Sequence, residues 1–126
     1  MFNIKKILVT SITLVSIDSI YLQLIKTFFA NQIKLVQQTP LKMNFIATIL
    51  SYILLAFGLY YFIIKPNRSV QEAFLLGLII YGVFETTNKA LFNNWSWLTV
   101  FIDTLWGGIL FGLTTFLTNW IIKVLR

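Results

Sequence analysis

Cysteine and histidine are both missing from this chain, and proline occurs only twice. Without them there is no thiolate nucleophile, no disulfide, no imidazole acid or base, and no zinc or haem site of ordinary ligation. The residues therefore predict no metal and no cofactor, and they mark no catalytic group. Charge is scarce too: charged side chains make up 11% of the residues, where a water-soluble domain carries roughly a quarter. Apolar residues fill the gap, at 58% hydrophobic and 17% aromatic with a mean hydropathy of +0.83. That balance excludes a soluble globule, a disordered chain and a collagen, and predicts an integral membrane protein in a lipid bilayer. The net charge of +6 does not predict a nucleic-acid partner. The lysines and arginines sit at the ends of apolar stretches and never form a stripe with interleaved aromatics. They suit headgroup anchors.

Four stretches, Ile7–Ile25, Met43–Ile64, Ala73–Phe92 and Leu98–Ile122, each reach the roughly 20 residues needed to cross a bilayer core. The predicted fold is all-α: a polytopic membrane protein with four transmembrane helices in an antiparallel bundle. A single integral membrane domain spans 1–126, with helices over about 7–28, 43–64, 72–92 and 97–122. Lys65-Pro66-Asn67-Arg68 separates the second helix from the third, because proline disfavours helix in its predecessor and the charges need water. Ser69 with Glu72 reads as a capping box opening the third helix. Asn93-Asn94 turns into the fourth. The polar stretch Asn31–Lys42, with Pro40, is expected to be a connection, in part a short amphipathic piece in the interface.

Lys5-Lys6 ahead of an apolar run resembles a secretory signal. Asp18 within the run and the lack of a small-residue cleavage site favour an uncleaved first helix. Four spans put both termini on one side, with Lys5, Lys6, Lys65, Arg68, Lys123 and Arg126 against Lys26, Lys34, Lys42 and Lys89. This excess predicts cytoplasmic termini. Trp95 and Trp97 at one end, and Tyr60, Tyr61 and Trp120 at the other, fit two aromatic belts.

Three of the four acids lie inside the apolar stretches: Asp18, Glu85 and Asp103. An ionised carboxylate in hydrocarbon costs several kcal/mol, so each must face the bundle interior, find a partner or hold a proton. By helix rise, Glu85 and Asp103 lie about 10 Å from the loop joining the third and fourth helices, and Asp18 about 15 Å deep. Ser51 and Tyr52 reach about 13 Å, so one polar layer can draw on all four helices. Gly77, Tyr81, Glu85 and Asn88 share one face of the third helix, and Thr99, Asp103, Gly107 and Thr114 one face of the fourth. Ala73 with Gly77, and Gly108 with Gly112, offer small residues for close helix approach. Lys89, four residues after Glu85, is expected to form an i,i+4 ion pair with it. Trp106 beside Gly107 is expected mainly to pack, with stacking on a cationic ligand as its other use.

One segment is specific enough to compare with a family. Tyr81-Gly82, Glu85, Thr87-Asn88, Trp95 and Asp103 followed by Leu105-Trp106-Gly107 resemble the tyrosine-glycine, acid, threonine-asparagine, tryptophan and aspartate-x-x-tryptophan-glycine series of the small four-helix membrane proteins classed as domain of unknown function 2177. Asp18, Tyr52 and Pro66 also fall where that pattern expects them. Glu85 replaces the family's aspartate, Tyr21 its usual tryptophan and Ser96 a common proline. The resemblance covers nearly the whole chain and implies the architecture and the residue set. It implies no activity.

Three functions compete. The first is proton- or cation-linked transport of a small solute, with a homo-oligomer as one form, using Asp18, Tyr52, Tyr81, Glu85, Asn88, Asp103 and Trp106 as proton, cation or ligand contacts. The second is a structural or assembly subunit in which the same residues form a polar packing lock. The third, an enzyme acting on membrane lipid, finds neither an acidic pair at metal-binding spacing nor a phosphate-binding glycine loop. A non-enzymatic role is the better expectation.

Overall fold

The computed structural model describes all 126 residues, Met1–Arg126. It contains helices α1 (Ile4–Gln37), α2 (Phe45–Leu59), α3 (Val70–Leu91) and α4 (Trp97–Val124), and α2 continues through a π-helical turn, Tyr60–Ile64. With that turn added to α2, all four are long and apolar enough to cross a membrane. Their outward side chains are large and apolar. Ile12, Leu24, Phe45, Leu54, Phe101 and Phe116 are each more than half exposed, the surface a bilayer accepts while helical hydrogen bonding satisfies the backbone.

Each helix starts at a residue whose side chain accepts a backbone N–H. Asn3 takes that of Lys6, Asn44 that of Ala47, Ser69 that of Glu72 and Ser96 that of Thr99. The capping box is present as expected, with Glu72 Oε1 accepting the Ser69 N–H at 3.2 Å. At the end of α2, Pro66 has no N–H to continue the ladder. The chain turns instead through Lys65 N–H to Tyr60 O and Arg68 N–H to Ile63 O, both 2.8 Å, with Asn67 at φ 59°.

The first helix departs from expectation. It runs on to Gln37, so most of the stretch expected as a connection is helical, and the link to α2 begins only at Gln38. The reason is local: no glycine or proline interrupts the chain from Ile25 to Gln37, and Gln38, at φ 61°, closes the helix with its N–H on Lys34 O just before Pro40. The added turns also have something to pack on, since Gln32 is buried and Phe28, Phe29, Ile33 and Val36 are half-buried.

The helices neighbour one another in the order α2, α1, α4, α3, with α2 packing chiefly on α1. Contact is tightest between α3 and α4, where Gly77 meets Gly107. A Cβ on Gly77 would overlap the carbonyl oxygen of Gly107, and a Cβ on Gly107 would overlap the Tyr81 ring. Gly77 thus serves close approach as expected, but opposite Gly107. Gly112 leaves room for an ordinary Cβ contact. The apolar core, Leu14, Leu59, Tyr60, Ile63, Ile64, Ala73, Leu110 and Phe111, draws on the parts of the helices nearest the termini. Buried polar residues run the length of the interior, from Thr10, Thr114, Thr115 and Thr118 at that end to Glu85, Asp103 and Gln32 toward the other.

Candidate functional site

Helix spacing brings Asp18 of α1 inward together with Thr10 and Leu14, and Asp103 of α4 inward together with Thr99 and Gly107. Both oxygens of Asp18 are engaged: the Tyr52 hydroxyl donates to Oδ2 at 2.5 Å and the Trp106 indole N–H to Oδ1 at 2.9 Å. The Tyr21 hydroxyl donates to Asp103 Oδ1 at 3.1 Å. Glu85 is fully buried. Its Oε1 accepts the Trp95 indole N–H at 2.7 Å, while its Oε2 finds no donor.

A cavity of about 350 Å³ lies against this layer, with all four helices in its wall: Asp18 and Tyr21 from α1, Ser51 from α2, Tyr81 and Phe84 from α3, and Asp103 from α4. It occupies the gap between α2 and α3, which the packing order leaves apart. Ser51 and Phe84 at its rim are exposed at mid-helix, so the cavity opens sideways. No lysine or arginine lines it.

The expected residues divide accordingly. Asp18, Tyr52, Asp103 and Trp106 meet in the layer, and Tyr81 lines the cavity. Glu85 lies behind Asp103, out of the cavity wall. Asn88 is half-buried, and its amide takes part in none of these bonds. The ion pair expected between Glu85 and Lys89 does not form: the single salt bridge is Arg68–Glu72, at 2.8 Å on the surface. Glu85 turns into the bundle, whereas Lys89 reaches for the interface, with Nζ 5.6 Å from the Trp97 ring centroid.

Two residues in the layer were not among the site candidates read from the sequence. Tyr21 lies parallel to Trp106, centroids 4.3 Å apart, and holds Asp103. Its signal was its place one turn beyond Asp18. Trp95, expected in an aromatic belt, is 4% exposed because its N–H finds Glu85. Tyr60 likewise leaves the belt, 1% exposed with its hydroxyl accepting the Asn3 N–H at 2.7 Å. Trp97 and Trp120 remain outside.

A latch outside the layer positions Trp95. Gln32 Oε1 accepts from Ser96 N–H at 3.0 Å and the Thr99 hydroxyl at 2.8 Å, and its Nε2 donates to Asn94 O at 2.7 Å. The Asn94 amide donates back to Leu35 O at 3.2 Å. The extra turns of α1 thus hold both sides of the α3–α4 loop, with Trp95 at its centre.

Fold and site together define an integral membrane four-helix protein with an acid and aromatic layer inside the bundle. The family model described as "Predicted membrane protein (DUF2177)" matches residues 3–120, and the chain belongs to that family. No curated protein and no solved structure matches it.

Proposed function

We propose that this protein carries a small solute across the membrane in a proton- or cation-linked cycle, with Asp18 and Asp103 as the exchanging groups. The observation that carries this reading is the cavity that two intramembrane carboxyls line and no basic side chain neutralises. Desolvated acids next to a ligand-sized space are suited to trading a proton for a ligand, because each occupant stabilises the site against the other's loss. Glu85, fully buried and outside the cavity wall, is the natural reserve for the proton that Asp103 gives up. The distribution of lysines and arginines supports cytoplasmic termini.

A second reading, a packing lock in a structural subunit, draws support from Asp18, whose oxygens both already accept hydrogen bonds. Purified protein in liposomes under an imposed pH difference, followed with an internal pH dye, separates the two. Carrier function requires proton flux above that of empty liposomes, lost in Asp18→Asn and in Asp103→Asn while the helices stay folded. A lock gives no flux in any of them.

A further inference from the structure

We infer that the cavity takes a lipophilic organic monocation, a single ammonium-type charge on an apolar body, which enters sideways from the bilayer. The inference deepens the carrier reading and rests on it for what binding accomplishes; the chemical class of the ligand comes from the cavity itself.

Charge is the first argument. Every donor to the three acids is neutral: Tyr21, Tyr52, Trp95 and Trp106. The wall contains no lysine or arginine, so an ionised acid here meets no protein cation. Glu85, fully buried, keeps one carboxyl oxygen without a donor. The cluster is therefore short of positive charge in a low-dielectric setting, where an unpaired carboxylate is costly.

The remaining walls decide which cation. Apart from the acids, the lining is mostly apolar, and Tyr21, Phe29, Tyr81 and Phe84 contribute aromatic rings of the kind that attract quaternary ammonium groups. A divalent metal ion prefers six or more oxygens, which these walls do not gather. At about 350 Å³, the space lies at the small end of ligand pockets. The rim is the third argument, since Ser51 and Phe84 face outward at mid-helix and the route in lies through lipid. A ligand taking that route must be soluble in hydrocarbon.

Protons and such a cation compete for the same oxygens. The titratable groups facing Asp18 and Asp103 are Tyr21 on α1, Tyr52 on α2, and Tyr81 and Glu85 on α3. None of these supplies a positive charge at any pH, so acid must weaken cation binding.

The test uses wild-type protein in maltoside micelles, with benzyltrimethylammonium as the probe and neopentylbenzene as its uncharged isostere, followed by calorimetry and tryptophan fluorescence. The cation is expected to bind at least about tenfold tighter than the isostere, and more weakly in acid than at neutral pH. Asp103→Asn should lose the preference for charge while keeping its helical circular dichroism. If that variant does not fold, the wild-type pH comparison decides. Equal affinity for the two probes, or binding indifferent to pH, overturns the assignment. Charge-selective binding without proton flux in liposomes upholds the ligand class and removes the carrier reading. Proton flux without charge preference removes the ligand class and leaves the carrier.

Discussion

Tyr21 lies flat on Trp106, ring planes within 4° and centroids 4.3 Å apart, and the two rings turn their polar ends to different acids. Tyr21 donates to Asp103 on the helix of Trp106, and Trp106 donates to Asp18 on the helix of Tyr21. The α1–α4 interface is thereby crossed twice, each helix holding the other's carboxyl across a stacked aromatic pair. Such a pair adds about 0.5–1.5 kcal/mol beyond its burial.

Replacing Tyr21 by Phe keeps the stack and deletes one hydrogen bond, so stability should fall by only about 0.6–1.7 kcal/mol. Tyr21→Ala removes ring and bond together and should cost about 3 kcal/mol or more. Reversible unfolding in mixed detergent and dodecyl sulfate measures both. Equal losses would show that the ring contributes nothing to the interface.

The meeting of Gly77 and Gly107 predicts a steep response to size. Gly77→Ala must push backbone away from backbone and should destabilise by about 1–3 kcal/mol. Gly58, with nothing within 4 Å of a Cβ, is the matched control; Gly58→Ala should gain up to about 1 kcal/mol from helix propensity. If both changes shift stability in the same direction in the detergent unfolding assay, close approach is not what sets the α3–α4 distance.

Gln32→Leu keeps the bulk of the side chain but strips the segment from Asn94 to Thr99 of three hydrogen bonds, leaving the half-buried Ser96 N–H without its acceptor. The expected loss is about 1–3 kcal/mol, and the Trp95 indole should become more accessible. With Trp97, Trp106 and Trp120 changed to Phe in the background, acrylamide quenching of Trp95 should rise in Gln32→Leu. Unchanged quenching would show that Trp95 is held without the latch.

Surface electrostatics should matter little. Arg68→Ala breaks an ion pair whose side chains are 56% and 47% exposed, and is expected to cost less than about 1 kcal/mol. Ser69→Ala, which removes the cap one residue later, should cost about 1 kcal/mol. Thermal unfolding of the two variants side by side checks the order, and the reverse order would mean that the charge rather than the cap begins α3.

Hydrophobic length and helix punctuation made the four spans readable in the residues, and helix rise alone brought Asp18, Tyr52 and Asp103 to depths within about 5 Å of one another. Where depth and face both mattered, the reading was weaker. Glu85 had the right depth, but a spacing rule gave it to Lys89. The rule counts residues along one helix and cannot see that Trp95, across a turn, offers a donor without the cost of burying an ammonium. Interfacial preference likewise assigned Trp95 and Tyr60 to the surface, because an aromatic with a polar tip suits a headgroup region equally well until an interior partner is known. The length of α1 was obscured by polarity: Asn31, Gln32, Lys34, Gln37 and Gln38 resemble a loop, yet Gln32 is polar because it holds another loop.

At 34 residues, α1 is about 50 Å long against a hydrocarbon core of about 30 Å, so it must lean or project. Its apolar stretch, Ile7–Ile25, by itself matches that core, so the more polar turns from Lys26 to Gln37 extend beyond it. Since Gln32 in those turns grips the segment bearing Trp95, and Trp95 holds Glu85, the geometry of a buried acid is tied to a part of α1 that stands at the membrane surface.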